Sequence, residues 1–139
     1  MDAQGIRADL IAEQDALDAV VADLTAEQWA TPTPSPRWTV ADQIAHLTFF
    51  DGTAALAIRD PDAFNASLGE LVALLEGGEE AMDDHTLGWA RAASPEDLLA
   101  RWRENRAELA DAATGDAARD WMHKAQAFAG PPTDGPPAR

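Results

Sequence analysis

The chain of 139 residues carries 25 acidic against 10 basic side chains, a net charge of −15, and has no cysteine. That charge repels nucleic acid and anionic membrane surfaces, which excludes both as expected partners, and the lack of cysteine excludes disulfides, zinc–thiolate centres and thiol chemistry by the protein itself. With 46% hydrophobic residues the chain supports one packed domain; it shows no apolar run of membrane length and no basic-then-apolar leader pattern, so its expected location is the cytoplasm.

Residues 6–24 read as a first helix, with Ile6, Leu10, Leu17, Val21 and Leu24 on one face at helical spacing. Glu13 and Gln14 interrupt that stripe. Glu13 reads either as a side chain reaching water from the edge of the core or as an acid facing a pocket. Thr25 caps a short turn through Gln28, and Trp29 is placed to seal one end of a bundle. Pro32, Pro34 and Pro36 then fix φ at alternate positions and predict an extended loop.

That loop meets a well-marked helix start. Thr39 is a good N-cap, Asp42 follows three residues later in a shortened capping box, and Val40, Ile44, Leu47, Ala54 and Ile58 share a helical face. Trp38, just before the cap, is placed to staple the loop to the body of the protein. The helix is expected over residues 40–59, ended by Asp60-Pro61 because proline disfavours helix at the residue before it. His46 stands about 120° from the centre of the apolar stripe at about 100° per residue, at the flank of the core and one turn after Asp42. An aspartate at that spacing can orient an imidazole and raise its basicity as a metal ligand; the same pattern suits a half-buried histidine bonded to a neighbour. Phe50 flanks the stripe on the side of His46. Asp51 falls near its middle, where a lone carboxylate is costly, so it is expected to pair with Arg59 or a backbone group, or to face a polar cavity.

Residues 64–75 form a third expected helix, stopped by Gly77-Gly78, and residues 82–90 a further short one bearing His85 and Trp89. Ser94-Pro95-Glu96-Asp97 is a strong start signal for a helix through Leu98, Trp102 and Leu109 to about residue 115. Along it Arg101, Arg103 and Arg106 alternate with Glu104 and Glu108, which reads as a solvated face of local pairs. A short helix over 117–128 and a proline-glycine tail from Gly130 complete the chain. The expected organisation is an all-α bundle domain over residues 1–115 and a segment of 116–139. No nucleophile elbow, phosphate-binding glycine loop, His-Glu-x-x-His or His-x-x-x-His occurs.

The stretch Trp38-Thr39-Val40-x-Asp42-x-x-x-His46-Leu47, preceded by Leu24-Thr25-x-x-Gln28-Trp29-x-x-Pro32-Thr33, resembles the N-terminal domain of mycothiol-dependent maleylpyruvate isomerases and the wider DinB-like metal-binding four-helix bundles. Residues 94–103 and Gly130-Pro131-Pro132 are similar to an uncharacterised metal-binding branch of that family. The resemblance implies an up-and-down DinB-like bundle in which His46 is a metal ligand, Asp42 orients it, and Trp38, Phe50, Asp51 and Glu13 belong to the pocket. It implies a divalent metal, usually zinc, whose open position binds mycothiol, a small-molecule thiol, for isomerisation or transfer. The family's other ligands, a glutamate and a second histidine four residues apart on the last bundle helix, have no counterpart, because no Glu-x-x-x-His pair occurs here. The expectation is therefore a bundle whose last helix is missing or replaced and whose metal site is incomplete. The alternative is a non-catalytic helical interaction module. In both, Leu98, Trp102 and Leu109 are expected to line an open groove covered either by residues 121–128 or by self-association, with a homodimer as the favoured arrangement.

Overall fold

The computed structural model describes residues 3–114, 119–120 and 123–124. Among these residues the chain forms α1 (Ala3–Val21), α2 (Ala26–Trp29), α3 (Val40–Arg59), α4 (Pro61–Leu74), α5 (Gly78–Arg91) and α6 (Pro95–Ala112), with a 3-10 turn (Leu75–Gly77) before α5. The fold is an all-α DinB-like bundle in which α1, α3 and α6 are long members and α4 and α5 cross over between the last two. No helix among the described residues is long and apolar enough to cross a membrane. The expected helix over 117–128 and the tail from Gly130 lie outside the described residues, apart from the exposed pairs 119–120 and 123–124. The last bundle helix, expected to be missing or replaced, likewise bears on residues outside that set.

Local chemistry fixes most boundaries. Thr25 accepts from the Gln28 amide while the Gln28 side chain accepts from the Thr25 amide, and Thr39 and Asp42 repeat this reciprocal pattern at the start of α3. Asp60 ends α3 and also caps α4, its carboxylate accepting from the Ala63 amide at 3.1 Å with Pro61 in the first helical position. That shared cap starts α4 three residues earlier than the apolar pattern suggests. Gly77-Gly78 stops one helix and starts the next: Gly78 has φ 78°, and a Cβ on Gly77 would stand 2.8 Å from the Ala81 methyl.

The proline loop is not simply extended. It folds back on itself, with the Thr33 amide donating to the Trp38 carbonyl at 2.9 Å, the Val40 amide to the Thr31 carbonyl at 3.0 Å, and a bridge between Pro32 and Thr39. Arg37 makes the turn with φ 68°, a left-handed conformation that side chains seldom adopt. The prolines fix their own φ angles and leave Arg37 to reverse the chain.

The core runs along the seam of α3 and α6, the most extensive helix pairing among the described residues. Trp102 and Leu98 of α6 are each 1% exposed and pack with Ile44 and Ala45 of α3 and Leu87 of α5. The groove expected to expose Leu98 and Trp102 is thus the centre of the core, and Leu109 is half-buried. The face that α3 turns inward is Ile44, Ala45, Thr48 and Ala55, rotated away from the expected aliphatic stripe, so that Leu47 is 37% exposed. Small residues win this face because α6 comes close: Asn105 donates to the Thr48 carbonyl at 2.8 Å, and a Cβ on Gly52 would lie 3.0 Å from the Asn105 amide nitrogen.

Helix α1 docks on α6 through polar contacts. Asp18 takes a bidentate pair from Arg103 at 2.8 Å and a further bond from Arg106 at 2.8 Å, Asp15 pairs with Arg106, and Arg7 donates to the Ala110 carbonyl at 2.7 Å. These arginines therefore pair across helices and not with Glu104 and Glu108 on their own. The Arg103 hydrogen bonds hold the Asp18 carboxyl below its ordinary value, outweighing its partial burial. Gln14, not Glu13, turns inward, and its amide donates to the Arg106 carbonyl at 3.4 Å.

Trp102→Ala removes the largest fully buried side chain at this seam and is expected to destabilise the fold by about 3–5 kcal/mol, read as a lower urea midpoint.

Candidate functional site

His46 rises from the second turn of α3 into a stack of rings. Its imidazole lies 5.1 Å from the Trp38 ring and 4.6 Å from the Phe50 ring, both tilted by about 45–49°. Phe50 meets Phe49 edge-on at 5.1 Å, and Phe49 meets His85 of α5 at 5.8 Å. Trp38 and Phe50 thus stand beside His46. His85, on an exposed face of α5, is separated from His46 by two phenylalanine rings. Burial among these rings lowers the His46 pKa from its ordinary 6.5, which keeps the imidazole neutral and its lone pair free near neutrality.

Asp42 takes a different role from orienting His46. One oxygen accepts from the Thr39 amide at 2.9 Å and the Thr39 hydroxyl at 3.2 Å, and the other accepts from Arg91 Nε at 3.1 Å. The carboxylate caps α3 and ties it to α5, a role set by a cap three residues away and an arginine 49 residues away. Arg91 also approaches Asp83 at 4.0 Å; Asp83 in turn pairs with Arg37 at 3.1 Å, and Arg37 with Glu79 at 3.1 Å. Five charges of alternating sign therefore link the cap of α3, helix α5 and the tip of the proline loop. Gln43 of α3 adds bonds to the Thr33 and Ser35 hydroxyls. Together these contacts hold Trp38 against His46.

Trp38 also lines a cavity of about 500 Å³, with Pro36, Leu75 and Met82 as its apolar walls and Arg37, Glu79 and Asp83 at its polar edge. The pairing of Arg37, Asp83 and Arg91 is not legible in the sequence. Their pairings span 46 and 49 residues, and no local pattern signals them.

Glu13 and Asp51 stand elsewhere. Glu13 is exposed on α1. Asp51 sits about 140° around α3 from His46 at about 100° per residue, beside α6. Burial raises its pKa above the ordinary value, while a hydrogen bond from Trp102 and the nearby Arg106 charge pull it back; the partner comes from α6, not from Arg59. Among the described residues no three histidine, aspartate or glutamate side chains are grouped to hold a metal ion, so these residues alone do not fit a zinc centre.

Residues 10–139 match the family model of the mycothiol maleylpyruvate isomerase N-terminal domain. The chain belongs to that family. The DinB-like proteins fall in the same clan. Two Mycobacterium tuberculosis relatives, both described as uncharacterized proteins, come from strains CDC 1551 / Oshkosh and ATCC 25618 / H37Rv. Each is 42% identical to this chain over 102 residues, a stretch covering 73% of this chain and 38% of the relative. The match therefore spans well under half of those longer proteins. No solved structure matches the chain.

The depressed His46 pKa has a fixed consequence for stability. The unfolded chain binds a proton at this side chain near pH 6.5 and the folded one only at lower pH, so the contribution is present above 6.5 and lost as pH falls through the folded value. The urea midpoint is expected to drop from pH 7.5 to 5.5, and by less in His46→Gln, which cannot titrate. An equal drop in both proteins would assign the acid sensitivity to other groups.

Proposed function

We propose that this mycothiol maleylpyruvate isomerase N-terminal-type domain belongs to a thiol-handling metal protein, and that His46 is the one ligand its described residues contribute. The observation that carries this reading is His46 itself, a neutral imidazole held between Trp38 and Phe50 at the family's motif position. A metal centre needs about three protein ligands, so the others come from residues outside the described set or from a second chain. Zinc or another divalent ion and mycothiol are the cofactors this reading carries, with isomerisation or group transfer as the reaction class. Trp38 and Phe50 limit water at the imidazole. The charged chain from Asp42 to Arg37 fixes the loop that carries Trp38.

Calorimetric titration with zinc is the direct test. Weak binding to the 139-residue chain is expected, and it should vanish in His46→Ala. An isotherm unchanged by that substitution, with far-UV dichroism also unchanged, removes His46 from the metal site.

A second reading, a helical interaction module, is favoured by one observation. Leu68 and Val72 of α4 and Leu75 in the following turn share a face at spacings of four and three residues, and are 43%, 55% and 65% exposed. A two-fold contact between two copies would cover this stripe in a homodimer. Sedimentation is expected to show a dimer that Val72→Glu converts to monomer; monomers for both proteins would discard the interface.

A further inference from the structure

A second concavity lies between α3, α5 and α6, away from the proline loop. It has a volume of about 250 Å³, with Phe49 and Trp89 among its walls, Gly52 and Thr53 beside them, and Arg101 and Asn105 from α6. Three features set it apart from an ordinary surface fold. Trp89 is 39% exposed on α5, leaving a large aromatic face in water. Among the described residues no hydrogen bond or ion pair engages Arg101, nor Arg59 at the end of α3, whereas Arg7, Arg37, Arg91, Arg103 and Arg106 each hold a partner; of the two, Arg101 lines this cleft. Gly52 adds no side chain to the cleft between Phe49 and Thr53 on α3, and the Thr53 hydroxyl, which donates to the Phe50 carbonyl at 3.0 Å, keeps its lone pairs.

We propose that this cleft binds a small planar monocarboxylate of the benzoate class, anchored by Arg101 between Phe49 and Trp89. A guanidinium presents parallel N–H groups that match the two oxygens of a carboxylate, and one unpaired arginine balances one negative charge. The aromatic walls set the rest of the ligand, since a flat apolar ring covers the Trp89 and Phe49 surfaces that an inorganic anion leaves wet. The net charge of −15 repels anions at long range, so binding rests on contacts within the cleft and not on steering. The site is separate from the role given to His46: Phe49 reaches that imidazole only through the ring of Phe50.

Benzoate itself is the probe, followed through the tryptophan indole N–H signals in proton–nitrogen correlation spectra, with Trp89→Phe identifying the Trp89 resonance. A saturable shift of that signal is expected, and Arg101→Gln should weaken it at least about tenfold, the scale of a lost charge-assisted pair. Benzyl alcohol and inorganic phosphate at matched concentrations should produce no saturable shift. Both substituted side chains are exposed, and far-UV dichroism checks that the variants remain folded. A Trp89 signal that does not move, an isotherm unchanged in Arg101→Gln, or phosphate acting as well as benzoate would each overturn the proposal.

Discussion

The close approach of α6 to α3 is the constraint on which the rest of the molecule depends. Thr48 sits in that contact with its hydroxyl bonded to the Ile44 carbonyl at 2.7 Å, while its own carbonyl accepts from Asn105. Each bond satisfies a polar group that is costly to leave unpaired when buried. Alanine, threonine and glycine on α3 leave room for Trp102 and Leu98, and that choice sets the rotation of α3 about its axis. The rotation has two further effects. It carries His46 and Phe50 toward the proline loop, and it turns Asp51 toward Trp102.

A second constraint locks the loop end. Asp42 is both a cap and an ion-pair partner, so the start of α3 and the position of α5 are specified by one carboxylate. Buried charges are tolerated when paired and hydrogen-bonded, and Asp42 and Asp83 meet that condition with Thr39, Arg91 and Arg37. The aromatic environment of His46 follows from this arrangement, because Trp38 is carried by the loop that Arg37 and Gln43 tie down.

Helix existence was legible wherever the signal was local. Thr39 with Asp42, Ser94 with Pro95, and Asp60 with Pro61 each mark a boundary through a bond spanning three residues. The aromatic neighbours of His46 were legible for the same reason, since Phe50 is one turn away and Trp38 immediately precedes the cap. The orientation of α3 was not, because a stripe counted by aliphatic size points to Leu47 whereas close packing selects Ala45, Thr48 and Gly52. Local spacing pairs Arg103 and Arg106 with neighbours on their own helix, whereas their partners Asp15 and Asp18 lie some 85 to 91 residues away. A pattern four residues long carries no information about such pairs.

The turn at Arg37 adds ionic strength to the variables that act on this domain. Its left-handed backbone is held in place by side-chain pairs to Glu79 and Asp83, and the arginine side chain is half-exposed. Exposed pairs of this kind weaken as salt shortens the screening length, which is about 8 Å at physiological strength and about 3 Å at 1 M. In concentrated salt the loop tip loses part of the attraction that keeps it turned. The shielding of the His46 imidazole by Trp38 thus depends on counterions around a loop that never touches the histidine through its charges.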